Sequence, residues 1–272
     1  MALNQWFTVD LPALLECIDP RYIINADETG LFWRNVGVKS LVIGKKQEKG
    51  VKIAKDRITI LLACSGAGEK FPPCIVGTSA QPRAFTANAV HDIAVETYGF
   101  SYYYNTTAWM TGEIFNSWLN WLNDEMKKLD RHVVLLVDNF TGHNVSSRSN
   151  VEVRFLPPNC TAKAQPLDAG IIKCFKDSFK KHLYKRVFER IHEVTGVEDF
   201  LKGLTIFDAA DWTLEAWKSV KPSTIHNCFY KCQILDEKWK NDEIVLPAIV
   251  GIENSSVGSV VQDLVGFDDD EF

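Results

Sequence analysis

The chain has 272 residues, 46% of them hydrophobic, so it can bury a sizeable core and is not expected to be disordered. Its seven cysteines are an odd number scattered along the sequence, no run approaches 18 apolar residues, and the first 12 residues lack the basic and then apolar plan of a secretory signal. These features argue against a disulfide framework, a membrane span and secretion, and they predict a soluble intracellular protein.

The net charge of −5 conceals a mildly basic body. Residues 241–272 hold eight acids and no Lys or Arg, so the other 240 residues carry a net charge of +3. Positive charge is concentrated at 39–57, with seven Lys or Arg against two acids, and at 163–190, with eight against three. Either segment could follow a phosphate backbone, but charge alone favours the interpretation that both are ordinary solvated faces, so it is supporting evidence only.

The first predicted elements are β-strands. Residues 21–26 read as a short buried strand that is expected to end at Asp27, because Gly30 marks a turn soon afterwards. The β-branched and apolar run at 57–65 is followed by a glycine-containing turn and then by 71–77. These two segments predict a hairpin.

A helix and two strands are predicted next. Apolar residues at helical spacing over 112–130, with Thr111 as N-cap, indicate an amphipathic helix. The continuous apolar run at 132–137 is typical of a central strand buried on both faces, and it ends at Asp138. An alternating strand is predicted at 151–156.

The rest of the chain is predicted to be helical up to its tail. Apolar residues recur every three or four positions from about Ala169 to His192, so a long basic helix is expected to begin just after Asp168. Residues 198–240 carry further helical signal and are expected to form a small C-terminal lobe. The tail from about 248 is rich in Gly, Ser and Asp and reads as flexible.

This order of elements predicts an α/β domain with a mixed sheet flanked by helices. Ligand sites in such sheets lie where strands terminate. Asp27 and Asp138 are expected to end strands and Asp168 to open a helix, so the three acids could converge on one crevice.

The sequence around these acids matches a known pattern. Asp27 stands in NADETG, Asp138 in LVDNFTGH, and Asp168 in QPLDAG after LPPNCT. The set resembles the DDE superfamily endonuclease domain of the pogo, Tigger, Jerky and centromere protein B group of Tc1/mariner-like transposases. Further matches in the same order extend the resemblance over roughly residues 20–232: Phe71-Pro72-Pro73, Ala108-Trp109-Met110-Thr111, Gly170-Ile171-Ile172-Lys173, and Thr224-Ile225 with Asn227-Cys228-Phe229.

The resemblance implies a ribonuclease H-like core in which Asp27, Asp138 and Asp168 are the catalytic, metal-binding acids. Carboxylates suit hard cations such as Mg²⁺ or Mn²⁺, and a two-ion site serves in-line displacement at a phosphodiester. By this resemblance Asp27 would bridge the two ions, with Asp138 sharing one and Asp168 the other. The domains expected are a lead-in (1–20), the ribonuclease H-like DDE catalytic domain (21–195), a helical C-terminal extension (196–247) and a flexible acidic tail (248–272).

Three neighbours of the aspartates are auxiliary candidates. Glu28 and Asn139 adjoin expected metal ligands and could orient them or their waters, although residues next to each other on a strand point to opposite faces. A structural role for both is the alternative. His143 resembles the family's histidine after the second aspartate and could contact the scissile phosphate, or it could stabilise its loop.

Lysines beyond Asp168 are candidates for contact with DNA. Lys173, Lys176 and Lys180 follow this aspartate at helical spacing. The alternative is that they simply face solvent.

The resemblance also implies a nuclear protein whose partner is DNA and which acts as a nuclease and strand transferase, with a homo-oligomer as one possible state. Members of the group carry helix-turn-helix modules ahead of the catalytic domain, whereas about 20 residues precede the first predicted strand here. We therefore expect sequence-specific binding to come from a further segment or from a partner. A domesticated, non-catalytic nucleic-acid-binding or scaffold protein is the alternative function, and no membrane association is expected.

Overall fold

The computed structural model describes residues 5–15, 18–35, 56–82, 85, 98–139, 146–157, 161–190, 197–235 and 239. Within them lie six strands: β1 (Ile23–Phe32), β2 (Arg57–Ser65), β3 (Cys74–Gly77), β4 (Ser101–Tyr104), β5 (Val133–Val137) and β6 (Val151–Phe155). The six strands form one sheet in the order β4-β3-β2-β1-β5-β6.

The sheet is mixed. Strands β1, β2 and β3 form an antiparallel meander, whereas β5 and β6 continue the sheet beyond β1 in parallel. Strand β4 adds to the far edge, parallel to β3. An antiparallel meander extended by parallel strands on the other side of its first strand is the ribonuclease H-like arrangement, so the fold class expected from the sequence is confirmed.

Strand β1 is longer than the sequence suggested. The prediction that the strand ends at Asp27 was wrong, because β1 continues to Phe32 and Gly30 lies inside it, paired with Thr59 of β2. The glycine does not turn the chain, since the long antiparallel partner holds β1 extended. Pairing of β1 with β5, by contrast, stops at Asn25 and Leu136. Asp27 therefore lies in mid-strand, just beyond the point where the parallel partner stops.

Helices cover both faces of the sheet. The described α-helices are α1 (Leu11–Leu15), α2 (Gly112–Lys128), α3 (Thr161–Ala164), α4 (Ile172–Arg190), α5 (Val197–Gly203), α6 (Ile206–Ser219) and α7 (Pro222–Lys231). Two π-helical turns, Trp6–Asp10 and Leu167–Ile171, and a 3-10 turn, Pro20–Tyr22, precede α1, α4 and β1. We call the front face the side of β1 that carries Ile23 and Leu31, which pack in one core with residues of α4, α6 and α7. The back face carries Ile24 and Ala26, which pack in a second core with α2.

Most other predicted elements are confirmed within one or two residues. Helix α2 begins after Thr111, whose hydroxyl accepts a hydrogen bond from the Ile114 amide. Strand β5 is buried along its whole length, as its continuous apolar run indicated. The β2–β3 turn contains Gly68 with a φ of +89°, a conformation that side chains with a Cβ rarely adopt.

The C-terminal helices pack on the front face as part of the main core. Trp217 of α6 is buried, its indole nitrogen donates to the carbonyl of Phe71 at 2.8 Å, and its ring meets the ring of Phe175 of α4 edge to face. The buried ammonium of Lys70 donates to the carbonyls that end α6, which are those of Trp217, Lys218 and Val220. These contacts join the β2–β3 hairpin, α4 and α6.

Several predictions lie outside the described residues. They concern His143, most of the basic segment 39–57, and the acidic tail 248–272. Among the helices that the structure describes, none combines the length and the apolar character needed to cross a membrane.

Candidate active site

Strands β1 and β5 bring two of the predicted acids side by side. Asn25 pairs with Leu136 in parallel register, and the same register continued by two residues places Asp27 beside Asp138. Alternation along the strands puts Asp27 on the front face with Ile23, and Asp138 on the same face as Leu136. Two carboxylates on adjacent parallel strands therefore face the same side of the sheet.

The third acid reaches this place from a helical turn. Asp168 lies in the turn Leu167–Ile171, which runs into α4 across a kink at Gly170. The flanking Leu167 and Ile171 are fully buried in the front-face core, whereas Asp168 is exposed. Burial of its neighbours holds this segment against the sheet while the carboxylate stays accessible.

The charges of the three carboxylates act on one another. Burial raises the pKa of Asp27 to about 8, and the charges of Asp168, Glu28 and Asp138 add to the rise. Partial burial of the Asp168 carboxyl raises its pKa, a hydrogen bond with the Asp27 carboxyl lowers it, and the charge of Asp138 raises it further. Without a cation to compensate, this cluster therefore favours retention of a proton at neutral pH.

The side chain of Lys176 lies at the edge of the carboxylate cluster. Burial has the largest effect on the pKa of Lys176 and lowers it, and the positive charge of the neighbouring Lys180 lowers it further. The carboxylates of Asp168 and Asp27 raise this pKa, which places the Lys176 ammonium within electrostatic range of both. Lys173 and Lys180 are exposed on the same helix.

Two buried amides border the carboxylates. Asn25, two residues before Asp27, is fully buried and hydrogen-bonds to the backbone of both β5 and the Asp168 segment. Gln165, which is 1% exposed, lies close enough to Asp27 to lower the pKa of that carboxyl. At ordinary hydrogen-bond length, neither amide atom of Gln165 has a partner among the described residues.

The auxiliary candidates fall in different places. Glu28 lies on the back face by strand alternation, and its backbone amide donates to the Asp27 carboxylate at 2.8 Å. Asn139 is exposed directly after Asp138. Across the described ranges, no three His, Cys, Asp or Glu side chains are arranged to hold one metal ion together.

Residues 55–229, well over half of the chain, match the family model of the DDE superfamily endonuclease. The chain belongs to the DDE superfamily endonuclease family. Asp138 and Asp168 lie within the matched residues, and Asp27 lies ahead of them on the strand that pairs with β5.

Curated relatives of this DDE endonuclease domain come from the group that the motifs indicated. CENP-B homolog protein 2 of Schizosaccharomyces pombe is 31% identical over 82% of this chain and 44% of its own length. Tigger transposable element-derived protein 4 of Mus musculus is 28% identical over 98% of this chain and 50% of its own. The domain thus spans about half the length of these relatives.

Among solved structures, the DDE domain is similar to the catalytic domain of the Mos1 mariner transposase. That similarity covers 86% of this chain and 93% of the other, with 11% sequence identity and a TM-score of 0.39.

Sequence reasoning assigned no role to Asn25 or Gln165 in this DDE domain. Both residues stood in the quoted motifs, but their contacts are tertiary, since Asn25 meets residues 111 and 142 positions away. A polar residue two positions before an acid on a buried strand is the signal that could have identified Asn25, because alternation places both on one face.

Proposed function

We propose that the chain is the catalytic part of a transposase-derived endonuclease that binds DNA and catalyses metal-dependent phosphodiester cleavage and strand transfer. The observation that supports this most directly is the proximity of Asp138 and Asp168 to Asp27 on the front face, where burial and the charges of these two carboxylates raise the pKa of Asp27. The family to which the chain belongs is in keeping with this activity.

The donor set fits divalent cations. Carboxylate oxygens are the ligands that Mg²⁺ and Mn²⁺ prefer, and Mg²⁺ needs few protein ligands because it keeps several waters. A cation would offset the burial and the neighbouring negative charges that raise the pKa of Asp27. The buried amide of Gln165, which lies near Asp27, would be available to a water or a carboxylate in the same place.

The aspartates would share two ions according to their positions. Asp27 is a neighbour of both other carboxylates and would hold both ions, while Asp138, directly after β5, would hold one and Asp168 the other from its helical turn. When bound, the ions would neutralise charge on the attacking and leaving oxygens of an in-line displacement. Lys176, on whose pKa the charge of Asp168 acts, would bind a phosphate oxygen beside that carboxylate.

Plasmid nicking tests this activity. Purified protein should nick supercoiled plasmid in the presence of Mg²⁺ or Mn²⁺, and Asp138→Asn should lower the rate by about 10³-fold or more, because ion-assisted charge stabilisation contributes several kcal/mol. Agarose electrophoresis of the relaxed product gives the rate.

Asp124→Asn is the matched control for the nicking assay. It removes one carboxylate charge from an exposed position of α2, the back-face helix, and should nick at the wild-type rate. Folded wild-type protein that nicks with neither ion would contradict the catalytic proposal and favour the non-catalytic nucleic-acid-binding alternative.

The lysines of α4 give a second prediction. Lys176→Met combined with Lys180→Met should weaken binding of short duplex DNA and reduce the slope of log K against log salt by about two, because each phosphate contact contributes roughly one. Fluorescence anisotropy over a range of salt concentrations measures this slope.

The control uses two other lysines of the same helix. Lys181 and Lys185 have the same spacing but lie on the side of α4 away from the sheet, since Phe179 and Leu183 are buried. Their double substitution by Met should leave the salt slope unchanged. Equal loss of slope in both double variants would mean that α4 attracts DNA only by its net charge.

The same proposal includes nuclear location and a DNA partner, because the chain's relatives include transposable element-derived and centromere proteins. Sequence specificity would come from elsewhere in a longer protein or from a partner, and assembly into a homo-oligomer belongs to the same proposal.

A further inference from the structure

The side chain of Asn25 touches two of the three aspartate-bearing segments and belongs to the third. Its amide nitrogen donates to the carbonyl of Leu136 at 3.0 Å, and its amide oxygen accepts from the Leu167 amide at 3.0 Å. Leu136 precedes Asp138 by two residues, Leu167 directly precedes Asp168, and Asn25 precedes Asp27 by two.

We propose that Asn25 is the positioning residue that sets the mutual placement of the three aspartates, through its two hydrogen bonds to the backbones of β5 and of the Asp168 turn. The inference rests on the proposed function, since it concerns the geometry of that same site. It assigns Asn25 no contact with substrate.

The sheet alone does not provide this placement. Pairing between β1 and β5 ends at Asn25 and Leu136, so the described strand pairing does not connect these two strands at the level of Asp27 and Asp138. The turn that carries Asp168 is not a strand, and it reaches β1 through the bond from the Leu167 amide to Asn25. The Asn25 amide therefore adds a side-chain bond at the last parallel pair and ties the Asp168 turn to that pair.

Electrostatic repulsion makes such a tie necessary. The negative charges of Asp138 and Asp168 act on Asp27, and repulsion between ionised carboxylates tends to push the three segments apart. A buried hydrogen bond in surroundings of low dielectric opposes this separation more strongly than an exposed one. Asn25 is 0% exposed, and both of its partners are backbone groups. No substitution of Leu136 removes the carbonyl, and only proline in place of Leu167 would remove the amide hydrogen.

The chemistry of the side chain suits this role. The position needs a donor toward a carbonyl and an acceptor toward an amide, and asparagine supplies both without adding charge. An ionised aspartate would lack the donor and would add a fourth carboxylate to the site. A serine is too short to reach both partners, and leucine has the size of asparagine but neither polar atom.

Asn25→Leu tests the proposal with two measurements. Binding of Mn²⁺, followed by the loss of the free-ion signal in electron paramagnetic resonance, should weaken by about tenfold or more, as is typical when a group that orients metal ligands is lost. Hydrogen exchange at the Leu167 amide, followed by mass spectrometry without metal, should become faster because its acceptor is gone. Asn25→Ala carries the same test if leucine prevents folding.

Asn150→Leu is the matched control. Asn150 is also a buried asparagine with two such bonds, donating to the Arg131 carbonyl at 3.1 Å and accepting from the Ser149 hydroxyl at 2.9 Å. It lies at the start of β6, at the other end of the parallel strands. This variant should keep Mn²⁺ affinity within about twofold of wild type, whatever it does to thermal stability.

The outcomes separate this inference from the proposed function. A folded Asn25→Leu protein that binds Mn²⁺ like wild type, or that leaves exchange at Leu167 unchanged, would overturn the positioning role. Wild-type protein that binds no Mn²⁺ would overturn the metal-dependent function, and the exchange measurement would still decide whether Asn25 holds the Asp168 turn. Equal losses of Mn²⁺ affinity in the Asn25 and Asn150 variants would mean that both residues act only through the general stability of the fold, which would also overturn the positioning role.

Discussion

Asp27→Asn is expected to make the metal-free protein more stable at pH 7 while abolishing the metal-dependent cleavage that we propose for it. Burial and the neighbouring carboxylates raise the pKa of Asp27 to about 8 in the folded protein, from 3.8 as the reference value. Between these two pH values the folded protein keeps a proton that the unfolded chain has released, so stability falls as the pH rises from about 4 to about 8. Asparagine does not titrate and removes this dependence.

At pH 7 the gain in the free energy of unfolding should be on the order of 2–4 kcal/mol, because each pKa unit corresponds to about 1.4 kcal/mol. Urea denaturation with a chelator at pH 5 and pH 8 measures it, and the gain should be larger at pH 8. Added Mg²⁺ should stabilise the wild type by mass action but not the variant.

Asp211→Asn is the control for this prediction. Burial raises the pKa of Asp211 as well, but the residue lies on α6 and the charges that act on it are those of Glu215, Asp208, His182 and Lys218. This variant should gain stability at high pH and still respond to Mg²⁺. An Asp27→Asn protein whose stability follows pH as the wild type does would show that Asp27 is ionised in the folded state.

Trp217→Ala is expected to destabilise the whole domain by about 3–5 kcal/mol, the usual range for truncating a buried aromatic side chain to alanine. The substitution removes the hydrogen bond to the Phe71 carbonyl, the contact with Phe175, and the ring that lies 5.9 Å from the Lys70 ammonium. Since these contacts join α6 to the sheet and to α4, strand and helix signals should be lost together in one transition. Circular dichroism during urea denaturation measures the loss.

Trp109→Ala serves as the comparison. Trp109 is 51% exposed and stacks under the Arg57 guanidinium at 3.7 Å, so its loss should cost about 1 kcal/mol. If Trp217→Ala instead melted part of the helical signal while the sheet stayed folded, the C-terminal helices would form an independent unit, as the predicted boundary near residue 196 implies.

Local patterns predicted the regular elements well. The heptad-like spacing of apolar residues marked α2, and the unbroken apolar run marked β5, because each pattern reports which side of one element is buried. The end of β1 was wrong for the opposite reason. Gly30 favours a turn locally, but nine consecutive pairs with β2 keep the strand extended through it.

In the candidate site, too, some residues were predictable from local sequence and others were not. The three aspartates were identifiable from their motifs, and the placement of Asp27 and Asp138 follows from strand alternation. Asn25, Gln165 and Lys70 acquire their roles through contacts with residues far away in sequence, and single-segment patterns hold no information on such contacts. The structure shows the distant partners of Asn25 and Lys70. For Gln165 it shows a buried amide with no partner at ordinary hydrogen-bond length among the described residues.

The parallel pairing of β1 with β5 has a consequence for the order of folding. During synthesis β1 leaves the ribosome long before its partner, because Asn25 and Leu136 are 111 residues apart. Pairing across so long a stretch closes a large loop and is slow compared with formation of the β2–β3 hairpin or of α2. Asp27 is therefore expected to lie in a partly structured chain before Asp138 and then Asp168 leave the ribosome. The three carboxylates are therefore expected to meet among the last events of folding, so a nascent or prematurely released chain would not yet hold the assembled carboxylate cluster.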